Sequence, residues 1–183
     1  FNNDSRGNVQ LGHGGYDADG SHSGDIMVNA GNTGGVGVHF LAGDSEDNYA
    51  QLGHGGRSAR STLAGNPIQG FSGDISVMTT GSVHFIGGTM SGADNEDGRL
   101  YALLGHGGYD ADAASNNSIP TGGDRTNWGH TGDIAVSGTG IRVQAGDNAL
   151  LSPGDGRGRL HFAQIGHGGH VTGGDHKGSI NIT

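Results

Sequence analysis

Leu52-Gly53-His54-Gly55-Gly56 decides how this chain is read, because it returns three times. The other copies are Leu11-Gly12-His13-Gly14-Gly15, Leu104-Gly105-His106-Gly107-Gly108 and Ile165-Gly166-His167-Gly168-Gly169. Each follows a short apolar run: Val9-Gln10-Leu11, Tyr49-Ala50-Gln51-Leu52, Tyr101-Ala102-Leu103-Leu104 or Phe162-Ala163-Gln164-Ile165. A strand delivered into a glycine turn has this pattern. Self-similarity at such a period predicts stacked repeats in place of one globular core.

Two further motifs travel with the corner. Ser23-Gly24-Asp25-Ile26 recurs as Ser72-Gly73-Asp74-Ile75, Thr131-Gly132-Asp133-Ile134 and Lys177-Gly178-Ser179-Ile180. The strands that follow, such as Ile75-Ser76-Val77, alternate as they would with one face buried. Val38-His39-Phe40-Leu41-Ala42-Gly43 recurs as Val83-His84-Phe85-Ile86-Gly87-Gly88 and Ile141-Arg142-Val143-Gln144-Ala145-Gly146, and has no counterpart after Ile182. No stretch carries the 3.6-residue apolar period of a helix.

The predicted fold is therefore all-β, a parallel β-helix or β-solenoid with three short strands per coil and long polar loop insertions. It forms one domain over residues 1–183, with coils at 8–48, 49–99 and 100–159 and a partial coil at 160–183, about three and a half coils in all. Equivalent strands stacked in parallel would climb about 4.8 Å per coil. They would turn Ala50 and Leu52, Ile75 and Val77, and Val83 and Phe85 inward. A sandwich of hairpins is the competing fold, but hairpin strands need not repeat one motif order. Successive corner histidines lie 41, 52 and 61 residues apart while the strands keep their length, so the insertions fall in loops, chiefly 57–70, 109–129 and 147–159.

Composition bounds the function. Leu, Ile, Val and Phe together number 34 of 183 residues, a proportion at which chains often fail to fold, yet their register argues for order. The 41 glycines lack a three-residue period, which excludes a collagen-like helix. A net charge of −9 argues against nucleic acid as a partner and suits divalent cations or a soluble assembly. Without cysteine there is no disulfide, thiolate metal site or cysteine nucleophile. No apolar run is long enough for a membrane-spanning helix, and Phe1-Asn2-Asn3-Asp4 does not open a signal peptide.

Two groups of residues are candidate metal ligands. His13, His54, His106 and His167 would form a ladder, and imidazoles one coil apart could share Cu or Zn. The alternative, which the balance favours, has each imidazole hydrogen-bonded to a backbone carbonyl of the adjacent turn. Asp17, Asp19 and Asp25, echoed by Asp110 and Asp112, place carboxylates in a calcium-like spacing, but the segment lacks the glycine and glutamate positions of an EF-hand. An Asx turn between strands is favoured over calcium there. Asp25, Asp74 and Asp133 each precede a strand and suit turn capping, with Ser179 in their place in the last copy.

No catalytic set emerges. The only lysine is Lys177, and Asp-Arg pairs such as Asp124-Arg125 sit in loops without recognisable order. Trp128 and Tyr109 could stack on sugars, which keeps open a carbohydrate-binding or polysaccharide-cleaving β-helix using its long loops.

The Leu-Gly-His-Gly-Gly, Ser-Gly-Asp-Ile and Val-x-Phe-x-Ala-Gly motifs together resemble glycine-rich repeats of large bacterial exoproteins of the filamentous-haemagglutinin and autotransporter-adhesin kind. The resemblance covers nearly the whole chain. It implies a right-handed parallel β-helix, export to the cell surface, and adhesion or scaffolding without catalysis. The expected protein is a structural extracellular solenoid that stacks head to tail with copies of itself or continues covalently into a longer repeat chain, forming a filament or adhesin. Surface glycans are candidate partners, and the chain ending within a strand motif fits such continuation.

Overall fold

The computed structural model describes residues 7–32, 34–45, 47–60, 70–89, 99–111, 129–146, 160–172 and 175–183. Among the described residues the chain is all-β, with eleven strands and no helix. They fall into layers that repeat the motif order of the sequence. β1 (Asn8–Leu11), β2 (Ile26–Ala30) and β3 (Val36–Leu41) make the first, and β4 (Tyr49–Leu52), β5 (Ile75–Thr79) and β6 (Ser82–Ile86) the second. β7 (Arg99–Leu104), β8 (Ile134–Ser137) and β9 (Ile141–Gln144) make the third, and β10 (Leu160–Ile165) and β11 (Ile180–Ile182) the fourth.

Equivalent strands of successive layers lie side by side in three sheets, β1-β4-β7-β10, β2-β5-β8-β11 and β3-β6-β9, and every pairing among them is parallel. A hairpin sandwich would have paired consecutive strands antiparallel. The register puts like on like: Leu11, Leu52, Leu104 and Ile165 form one column, and Ile26, Ile75, Ile134 and Ile180 another. Because side chains alternate faces with period two, a one-residue slip would turn every such column outward.

The inward positions close one apolar core containing Leu52, Leu104, Ile75, Val77, Ile134, Val136, Val83 and Phe85. Ala50 is buried beside them. The same columns end in half-exposed members. Leu52 and Leu104 are 0% exposed but Leu11 is 47%, and Ile75 and Ile134 are 1% exposed but Ile180 is 51%.

The corner glycines carry the strand ladder around the turn. Gly55 N–H donates to the His13 carbonyl at 2.9 Å, and Gly107 N–H to that of His54 at 2.9 Å. Gly53 has φ 148°, and a Cβ there would fall on the carbonyl oxygen of Gly105 in the next layer. No other residue type fits that approach.

Candidate functional site

The corner histidines are brought into one column, and their chemistry follows from what each ring nitrogen faces. His54 lies over His13 with ring centroids 5.1 Å apart, His106 over His54 at 4.8 Å and His167 over His106 at 4.9 Å, with planes within 14° of parallel. Nδ1 of each upper ring accepts the backbone N–H of the histidine below: His13 N–H to His54 at 3.0 Å, His54 N–H to His106 at 2.9 Å, His106 N–H to His167 at 3.1 Å. Nε2 faces a glycine carbonyl, Gly24 at 2.8 Å for His54, Gly73 at 2.8 Å for His106 and Gly132 at 2.7 Å for His167.

A backbone N–H can only donate and a carbonyl can only accept. Nδ1 is therefore bare, Nε2 carries the proton, and the ring is neutral. The carbonyl bond anticipated from the sequence is present; the second bond, to Nδ1, was not anticipated. Both nitrogens of His54, His106 and His167 are thereby engaged within the fold. A second proton would have to sit on Nδ1 against an N–H, inside an apolar corner. Burial, the largest cause, lowers the His54, His106 and His167 imidazoles below their ordinary 6.5, and takes His106 to about 3.

Glutamines one strand position earlier brace the same corner. Gln51 Nε2 donates to the His54 carbonyl in its own layer at 3.1 Å and to Gly105 and Gly107 in the next at 3.3 and 3.1 Å. Gln10 does the same one layer down, reaching His13, Gly53 and Gly55. The aspartates before the second strand form an outward column of another kind. Asp74 N–H donates to the Asp25 carboxylate at 2.9 Å, Asp133 N–H to Asp74 at 2.8 Å, and Ser179 N–H to Asp133 at 2.8 Å. Each carboxylate thus caps the turn above it, and the Ser179 amide lowers the Asp133 carboxyl below its ordinary value.

A second ring column was not read from the sequence. The residue just before each Ser/Thr-Gly-Asp motif is His22, Phe71, His130 or His176. Phe71 stacks on His22 at 5.6 Å, His130 on Phe71 at 4.9 Å and His176 on His130 at 4.8 Å. The N–H to Nδ1 bond recurs, from Phe71 to His130 at 3.1 Å and from His130 to His176 at 3.0 Å. Its signal was three histidines at one motif position, masked by the phenylalanine. A third column stacks Tyr49, Tyr101 and Phe162 at 4.9 and 4.8 Å. Burial pushes the Tyr49 hydroxyl up to about 12 and raises that of Tyr101 as well, so neither ionises near neutral pH.

The carboxylates named as calcium candidates are distributed differently. Asp17 and Asp110 both adopt a left-handed turn, φ 52° and 54°, a position held by Ser58 in the layer between them at φ 55°. They lie two layers apart, about 9.6 Å at strand spacing. The Asp19 backbone pairs with that of Arg60 in the next layer as a parallel β-bridge, and Asp25 heads the capping column. Ala111, between Asp110 and Asp112, points inward at 0% exposed, as does Ala59 at the equivalent position between Ser58 and Arg60, while Ala18 in the end layer is half-buried. Asp112 lies outside the described residues, as does Trp128. Among the described residues, no three of His, Asp or Glu converge on one point.

Sequence reading also missed a buried ion cluster. Asp47, 4% exposed, pairs with Arg57 at 2.8 Å and Arg99 at 3.0 Å. The two guanidinium groups lie over the rings of Tyr16 and Tyr109, at 5.0 and 5.2 Å. Tyr109 also stacks on His170 at 5.3 Å, which occupies ring surface that a sugar would use. A groove of about 440 Å³ crosses three layers along Asn29, Ala30, Gly31, Met78, Thr79, Thr80 and Ser137, and none of these side chains is titratable. Comparison with protein-family models, curated proteins and solved structures finds no match.

Proposed function

We propose that the chain is a parallel β-solenoid with a structural, non-catalytic role outside the cell. Further layers extend it into a filament or surface adhesin, supplied by covalent continuation or by copies of itself. One observation carries this reading: columns fully buried in the middle layers run out to half-exposed members at both ends. Ile182 is 52% exposed where Val77 and Val136 beneath it are 0% and 2%. Apolar side chains in a strand column are stabilised by the strand laid over them, and a further layer restores that at about 25 cal/mol per Å² covered.

The chemistry of the interior supports the same role. Imidazoles, amides and carboxylates that could serve catalysis are spent on holding one layer to the next. Placement outside the cell rests on the resemblance of the three motifs to exported repeat proteins. Negative-stain electron microscopy of the purified chain, run beside a glycan array, tests the proposal. Rods or filaments of uniform width that retain no glycan are expected. Discrete particles that bind or degrade glycans would overturn it.

A further inference from the structure

We infer that the two open faces of the stack are complementary to each other and not to themselves, so that the partner of this chain is a second copy joined head to tail. This rests on the structural reading above and adds a direction to it.

The direction comes from the asymmetry of the layer-to-layer bonds. In the histidine column the lower residue gives its N–H and the upper gives Nδ1. The fourth layer therefore presents the His167 N–H upward, while the first presents the His13 ring, exposed at the stack's lower face. In the aspartate column the polarity is reversed, since the upper residue donates to the lower side chain. The first layer thus offers the Asp25 N–H downward, and the fourth carries Ser179, whose hydroxyl donates to Asp133 below and keeps its lone pairs to accept that amide.

The glutamine brace points the same way. Gln10 and Gln51 each reach two glycine carbonyls in the layer above, whereas Gln164 bonds, among the described residues, Gly166 and His167 of its own layer. Gly12 and Gly14 of a second copy hold the missing carbonyls. The apolar columns match as well: Ile165 would meet Leu11, Ile180 would meet Ile26, and Ile182 would meet Val28.

Joining like faces fails on each count. Two first layers would set imidazole Nδ1 atoms against one another, with strands running oppositely and the columns out of register. A heterologous contact along the stack does not close on itself, so assembly is open-ended and polar. Among the described residues the fourth layer has strands in two of the three sheets, and β9 is the last strand of the third. Association will depend strongly on concentration.

Cysteine cross-linking tests the polarity in a chain that has no cysteine of its own. Val9 is at the foot of the column Val9, Ala50, Ala102 and Ala163, so a head-to-tail copy places its Val9 over Ala163. Parallel neighbours about 4.8 Å apart are within disulfide reach. Under mild oxidation Val9→Cys/Ala163→Cys should give a ladder of covalent oligomers, and each single variant should stay monomeric on a non-reducing gel. A dimer from Val9→Cys alone would show first layers pairing, and an absence of cross-links in the double variant would deny the contact; either overturns the inference. Ile182→Asp provides a second readout: it changes a half-exposed end residue and should abolish sedimenting oligomers while far-UV circular dichroism is retained, and oligomers that persist in it overturn the contact. Uniform filaments in the microscope without the cross-link would leave the structural role standing and this polarity refuted.

Discussion

Acidification is the perturbation that reads the histidine column most directly. His106 is held neutral, its value taken from 6.5 to about 3 mainly by burial, with the Gly73 carbonyl opposing and the His167 and His54 rings adding to the lowering. A group whose folded value is depressed binds its proton first in the unfolded chain. Stability is thus complete above 6.5, falls as the pH drops through it, and stops falling near 3. Between about pH 7.5 and about pH 5 this single residue removes about 2 kcal/mol, at 1.36 kcal/mol per unit below the unfolded value. His54, His167 and His176 are lowered for the same leading reason, so the measured loss should exceed that figure. Urea unfolding followed by far-UV circular dichroism measures it as a falling midpoint at constant slope. His106→Gln should be less stable at neutral pH yet lose about 2 kcal/mol less on acidification. A wild-type midpoint that holds or rises between those pH values refutes the neutral column. An unchanged pH dependence in His106→Gln places the proton uptake elsewhere.

Three other outcomes follow from the packing. Gly53→Ala should fail to fold or lose more than about 3 kcal/mol, because its Cβ has no room beside the Gly105 carbonyl. Gly31→Ala, with nothing within 4 Å of the added carbon, should stay within about 0.5 kcal/mol, both read by urea titration. Asp47→Asn keeps a residue that tolerates the left-handed turn at φ 60° but removes the negative charge that Arg57 and Arg99 share. It should cost about 2 kcal/mol, less than the roughly 3–5 kcal/mol of a fully buried pair because the Arg99 side chain is 22% exposed and also bonds Tyr109, and lower the melting temperature. Phe71→His should fold within about 1.5 kcal/mol of the parent, since His22 and His130 flank the site with rings, whereas Phe71→Ala should lose about 3–5 kcal/mol in the same titration.

What was legible in the sequence is what repeats in every layer. The Gly53 corner could be read because a backbone carbonyl of the next layer forbids any side chain there, and that constraint recurs with each layer. The inward pairs, Leu52 with Ala50 and Ile75 with Val77, could be read because each must match the residue above and below it. Features confined to one layer left no periodic trace. Asp47 meets Arg57 from the following corner and Arg99 from the start of β7 in the next layer, and no spacing rule connects them. The second ring column escaped because Phe71 replaces an imidazole at one level while keeping its shape. The spacing of Asp17, Asp19, Asp110 and Asp112 suggested carboxylates in alternation, and sequence alone did not reveal that Asp17 and Asp110 sit at one left-handed turn position two layers apart, shared by Ser58 between them.

The columns also differ in how much variation they can absorb, and the difference lies in which atom receives the bond. Gln51 bonds to backbone carbonyls above it, so the layer above may carry Leu103 in the glutamine position and the bonds to Gly105 and Gly107 survive. In the histidine column the acceptor is the side chain itself, and His54 N–H has its partner only because position 106 is an imidazole. Replacing one histidine there leaves a buried donor unpaired one layer below, a cost of about 1–3 kcal/mol beyond the lost packing. The second column shows the same logic at Phe71, which offers the His22 N–H no nitrogen, and this break lies next to the exposed first layer where water can serve the donor. The corner column has no such exception in four layers, as expected where His54 and His106 are sealed from solvent.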